Sequence, residues 1–228
     1  MFLIRLLLIV HLVCAFSATA AFWVSGVAAK GGAWHRAAGR RFSQRMFAAA
    51  ATGGVLSLIG LVLPLLLAPG DPGATRQKMT LVLYLLVVIV TPVQHGVAVV
   101  AAGPTPMRVR SRAHAILNVV GLIATVLAFF ASVAWHAWGL LLVSPAGFIV
   151  GLRNMLYASR PVASASDWQR EHLTSLLTAG ILFHTAFFVL AAARWPGVFG
   201  ELPWIAVPWL APFAIGMPVI LYLRRTRR

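Results

Sequence analysis

The chain has 228 residues, of which 61% are apolar and only 10% charged, with a mean hydropathy of +0.89. Soluble domains run at about 45–50% apolar and about 25% charged, so this composition excludes an ordinary water-soluble fold. The formal net charge of +15 raises nucleic acid as a partner. The Lys and Arg residues, however, fall between apolar runs instead of forming one stripe, which assigns them to anionic lipid headgroups and leaves no role for nucleic acid.

A bilayer-spanning helix needs about 20 apolar residues. Seven runs meet or approach that length, at 6–29, 46–68, 79–102, 113–136, 138–157, 172–193 and 204–223. The expected fold is therefore all-α, a polytopic membrane helix bundle of seven transmembrane helices forming one transmembrane domain over 1–228. The first run has the look of a signal peptide, with Arg5 ahead of an apolar core and Ser17-Ala18-Thr19-Ala20 as a cleavage site. Its apolar character continues through Phe22-Trp23-Val24 to Ala29, a spanning length, so it is read as a retained helix. The only cysteine, Cys14, lies in this run, which rules out an intrachain disulfide.

Charge orients the bundle. With Arg153 counted in the fifth connection, the first, third and fifth connections and the C-terminus hold fifteen of the nineteen Lys and Arg residues. The largest group is Lys30, Arg36, Arg40, Arg41 and Arg45, between the first two runs. Cationic loops stay in the cytoplasm, so the N-terminus is expected outside and the C-terminus inside.

Polar residues within the runs follow helical spacing. His114, Asn118, Gly121, Thr125, Ser132 and His136 form one stripe along the fourth run, answered by Ser144, Gly147, Gly151 and Asn154 in the fifth. Such a stripe avoids lipid; it serves close helix packing, or it lines a pathway for a small solute. Pro92 interrupts the third run, and Pro208, Pro212 and Pro218 fall in the seventh. With these boundaries no Asp or Glu lies inside a run, which argues against carboxylate-based proton coupling.

Seven histidines are the main chemical resource. A haem b between helices needs two axial imidazoles at similar depth, and His184, His95 and His11 are the candidates. At 1.5 Å per residue, His184 lies about 18 Å and His95 about 10 Å from the cytoplasmic boundary, an imperfect match. His35, His114 and His172 fall at one interface on three segments, a set that would suit Zn²⁺ or a similar metal. Lipid phosphate is the plainer partner for the same three rings. No Ser, Cys or Asp nucleophile motif marks an enzyme.

His11, then Lys30-Gly31-Gly32-Ala33-Trp34-His35-Arg36-Ala37-Ala38-Gly39-Arg40, then Met46 and Gly53-Gly54 form a recognisable series. It resembles a family of bacterial predicted integral membrane proteins known as a domain of unknown function. The resemblance implies a multi-pass protein of the bacterial inner membrane and singles out His11, His35, His172 and His184 without giving them a reaction. Three function classes follow: a haem-associated redox protein, a small-solute transporter, and a non-catalytic assembly or lipid-organising protein. Oligomerisation stays open in all three.

Overall fold

The structure is a computed structural model that describes residues 1–67, 70–199 and 206–226. Its elements are α1 (Phe2–Val27), α2 (Ala33–Val62), the short α3 (Pro64–Leu67), α4 (Pro72–Ala102), a 3₁₀ turn (Pro106–Val109), α5 (Arg112–Ala134), α6 (Trp138–Ala158), α7 (Ala165–Ala192), the short α8 (Pro196–Phe199) and α9 (Val207–Thr226). No strand occurs among the described residues. Six helices, α1, α2, α4, α5, α6 and α7, are long and apolar enough to cross a membrane. The seventh run is the shorter apolar segment Val207–Leu223 within α9, and residues 204–205 of that expectation lie outside the described residues.

Three helices outrun their apolar segments. α2 begins at Ala33, so most of the basic connection is helix. α4 begins at Pro72, and α7 begins at Ala165, ahead of the apolar run that starts at 172. Bilayer thickness limits the apolar length of a helix but not where its hydrogen-bond ladder stops. A capping box fixes the α7 start: the Asp167 amide donates to Ser164 Oγ at 3.1 Å and the Ser164 amide donates to the Asp167 carboxylate at 3.2 Å. The consequence is a correction. Glu171 belongs to α7, so a carboxylate does sit inside a helix that is a candidate membrane span.

The chain divides into two compact units, residues 1–90 and 91–228. In the first, α1 packs along α2, with the Phe22 and Phe42 rings tilted against each other at 5.5 Å between centroids. His11 reaches across with Nδ1 2.8 Å from the Ala49 carbonyl, an oxygen that Thr52 also addresses at 3.1 Å. Directly opposite is Gly53, where a Cβ would sit 2.8 Å from the His11 ring. The glycine is thus a matter of space for an imidazole.

In the second unit α5 packs on α6 and α7 on α9. A turn of Trp135-His136-Ala137 joins α5 to α6, with His136 in the left-handed region at φ 51°. Pro145 interrupts α6 and withholds the amide that would bond the Leu141 carbonyl; the Ser144 hydroxyl donates to that carbonyl at 2.9 Å instead. Gly96 lets α4 and α7 approach, since a Cβ there would lie 2.9 Å from Leu176. Gly216 does the same between α9 and Ile181 of α7.

The glycine pair Gly53-Gly54 gives a sharp test, because nothing approaches a Cβ at Gly54 within 4 Å. Gly53→Val is expected to lower stability by about 1–3 kcal/mol through overpacking. Gly54→Ala should be neutral or stabilising by about 0.5–1 kcal/mol. Thermal unfolding in detergent of the two variants checks the contrast, and equal effects would count against the α1–α2 packing.

Candidate functional site

The second unit holds a cluster of polar side chains from four helices. His95 of α4 is fully buried at 0% exposure and bridges two partners. Its Nδ1 lies 3.0 Å from His114 Nε2 on α5, and its Nε2 lies 3.2 Å from Glu171 Oε1 on α7. Arg153 of α6 completes the group, its Nε 3.3 Å from the same carboxylate oxygen. The Arg153 guanidinium also donates to Ser175 Oγ at 2.8 Å and to Thr178 Oγ1 at 3.3 Å.

Local structure explains the placement. Ser111 caps α5, its hydroxyl accepting from the His114 amide at 3.1 Å, which fixes His114 in the first turn. On α7, Ser175 stands one turn beyond Glu171 and donates to its Oε1 at 3.4 Å. His172 turns the other way, with Nδ1 2.9 Å from the Gly96 carbonyl, and so ties α7 to α4 beside His95. Below the cluster, Val99, Ala102, Val109, Tyr157, Ala158 and Ala163 form a buried apolar floor. The Tyr157 ring meets His95 edge-on at 5.6 Å between centroids.

Tautomer logic gives the chain a direction. With Glu171 ionised, its oxygen accepts from His95 Nε2–H, and His95 Nδ1 must then accept from His114 Nε2–H. The three groups form a continuous line along which one proton can pass. Arg153 supplies a positive charge beside the partly exposed carboxylate.

The other expected site residues go elsewhere. His35 places Nδ1 2.9 Å from the Ser25 carbonyl, Lys30 donates to the Ser25 and Gly26 carbonyls, and Arg36 donates to Gly31. The Lys-Gly-Gly-x-x-His-Arg pattern therefore closes the C-terminal end of α1, where carbonyls lack helical donors. Among the described residues no group of three or more His, Cys, Asp or Glu side chains is arranged to hold a metal ion. His35, His114 and His172 each address a different partner instead. The expected axial ligand His95 has both nitrogens directed at other side chains, so it fits an iron bond poorly.

His11 and His184 each direct Nδ1 at a backbone carbonyl, Ala49 at 2.8 Å and Gly180 at 2.7 Å. The polar stripe of α5 is used in packing. Asn118 donates to the His114 carbonyl at 2.7 Å and accepts from Asn154 at 3.2 Å. Thr125 and Ser132 donate to carbonyls of their own helix, and Gly151 admits Leu122 at 3.3 Å from its Cβ position.

Three contributors were read differently in the sequence. Glu171 fell one residue short of its assigned run, Arg153 read as a loop cation, and His114 was grouped by depth with His35 rather than with His95. Depth counting treats helix ends as level, whereas two imidazoles reaching toward one another close a gap of about 7 Å. The helical spacing of Glu171 and Ser175, one turn apart, was the available signal.

No protein-family model, curated protein or solved structure matches this chain. The site must therefore be read from its own geometry.

Removing the carboxylate takes the partner from the buried His95 Nε2 and one partner from the Arg153 guanidinium, which keeps the Ser175 and Thr178 hydroxyls. Glu171→Ala should cost about 1–3 kcal/mol in detergent unfolding, a range reduced for partial solvent access. The double variant Glu171→Ala with Arg153→Met should recover part of it, as a double-mutant cycle would reveal.

Proposed function

We propose that this chain is a proton-coupled, multi-pass membrane protein whose working site is the line His114–His95–Glu171. One observation carries the reading: His95 is fully buried, yet both its ring nitrogens face titratable side chains. Ionisable groups inside a helix bundle are costly and mark proton or ion pathways. Correction of the α7 start removes the earlier objection that no carboxylate lies within the helices.

A proton arriving at His114 Nδ1 frees the proton on His114 Nε2 to move to His95 Nδ1. His95 Nε2 then gives its proton to Glu171 Oε1. One proton enters and one is delivered, and both imidazoles end in the opposite tautomer. Release from Glu171 and rotation of the rings restore the start. Arg153 holds the carboxylate in register.

The accompanying topology is seven spans with the N-terminus outside and the C-terminus in the cytoplasm, in the bacterial inner membrane. With Arg153 of α6 set aside, the distribution of fourteen of nineteen cations supports it. At 1.5 Å per residue, His95 is about 10 Å from the Ala102 end of α4 and Glu171 about 9 Å from the Ala165 start of α7. In that topology the line opens toward the cytoplasm, where Arg108, Arg112 and Arg160 are exposed to anionic lipid headgroups.

Reconstitution in liposomes with an internal pH dye tests the reading. Under an imposed membrane potential the wild type should move protons, and Glu171→Gln or His95→Phe should reduce the rate at least tenfold. Ser132→Ala, on the packed stripe, should match the wild type. A wild-type rate no higher than that of empty liposomes would sink the proposal.

A second reading keeps His184 as a haem ligand, because Nδ1 donation to the Gly180 carbonyl is the orientation that makes Nε2 the basic atom. Phe183 and Phe188 flank the ring at 5.6 and 6.5 Å. Oxidised and reduced spectra of the purified protein separate the two readings. The proton line predicts no haem bands; bands lost in His184→Ala would favour the second.

A further inference from the structure

In the first unit, α1 and α2 make opposite demands on their level in a membrane. His11 Nδ1 meets the Ala49 carbonyl, the Phe22 ring meets Phe42, and His35 Nδ1 meets the Ser25 carbonyl. These pairs define one antiparallel register, which sets Arg45 within about one turn of the level of Phe16 and Arg41 within about one turn of Ala20. The cationic start of α2 therefore runs beside the second half of the apolar α1, not beyond it.

No placement in a flat bilayer suits both helices. With Val27 at the membrane boundary, Arg45 lies about 16 Å beneath it, at 1.5 Å per residue. With Arg45 at the boundary, the same length of α1 stands in water, including the exposed side chains of Phe16, Trp23, Val24 and Val27. Tilting moves the two helices together, and for axes about 8–10 Å apart it shifts their relative level by only about 5 Å.

The charge is uncompensated as well. Arg40, Arg41 and Arg45 are exposed and take part in no ion pair among the described residues. Lys30 and Arg36 serve backbone carbonyls instead. The only acid in residues 1–90 is Asp71, which follows the opposite end of α2 and accepts from the Gly73 and Ala74 amides. Arg41 and Arg45 stand one turn apart, where like charges repel unless an anion lies between them. Trp34, also exposed, shares their face two turns earlier.

We propose that Arg41 and Arg45, with Arg40 beside them, hold the phosphate of an anionic phospholipid drawn below the ordinary headgroup plane, with its acyl chains running along α1. The phosphate relieves the repulsion between the arginines, and the chains keep the apolar face of α1 dry, so one ligand meets both demands. A soluble anion would neutralise the arginines and leave that face wet. The site belongs to the first unit and does not rest on the proton line.

Native mass spectrometry of the full chain, offered phosphatidylglycerol and phosphatidylcholine at equal concentration, tests the site. The wild type should retain phosphatidylglycerol in preference, and the double variant Arg41→Gln with Arg45→Gln should cut that retention by about tenfold or more. Arg5→Gln with Lys78→Gln, which removes the same charge elsewhere in the unit, should match the wild type. Equal losses in the two double variants, or no preference in the wild type, overturn the proposal. So does displacement of the lipid by excess inorganic phosphate, which would make this a site for a free anion. Should the arginine variant not fold, a spin label on Val27→Cys in a Cys14→Ala background, in phosphatidylglycerol vesicles, gives the decision. Collision with oxygen supports the lipid-covered α1, and collision with a water-soluble nickel chelate overturns it.

Discussion

The second unit depends on one requirement: a polar group withdrawn from water must find its partner inside the protein. His95 is where that requirement is tightest, because an imidazole with no exposure needs a partner at each nitrogen. Those partners come from α5 and α7, and the carboxylate among them needs a cation, which comes from α6. One buried ring thus binds four helices into a specific arrangement. The apolar faces alone, equally content against lipid, could not select it.

Small residues make that arrangement reachable. Gly96 brings α4 against α7, and Gly151 brings α6 against α5, so side chains of ordinary length can meet. The same device recurs in the first unit, where Gly53 makes room for His11. Hydroxyls serve the backbone in parallel. Ser144 answers the carbonyl that Pro145 leaves without its helical donor, and Ser111 and Ser164 hold the starts of α5 and α7. Chemistry and packing are coupled here, since a shift of α7 by one turn would carry Glu171 out of reach of His95.

The basic segment after α1 illustrates how a motif divides into roles. Its charge bears on orientation, which requires only that the cations stay on one side of the membrane. Its residue order bears on folding, for Lys30, His35 and Arg36 each reach a particular backbone carbonyl near the end of α1 or in the turn that follows. Its most recognisable histidine is therefore accounted for by a backbone contact, while the less conspicuous Glu171 and Arg153 supply the ion pair beside the buried His95.

Composition and run length determined the helical class, the places where apolar helices lie and the bias of charge between their ends. These depend on local hydrophobicity and on the thickness of a bilayer, quantities that sum along the chain. The stripe on α5 was likewise legible, because helical spacing alone puts His114, Asn118 and Ser132 on one face. Which histidine meets which partner was decided by tertiary structure. Pairing depends on how far helices extend past their apolar runs and on how closely their backbones approach, and neither follows from the identity of a residue. His95 and Glu171 are 76 positions apart in the chain, and only the packing of α4 on α7 at Gly96 makes them neighbours.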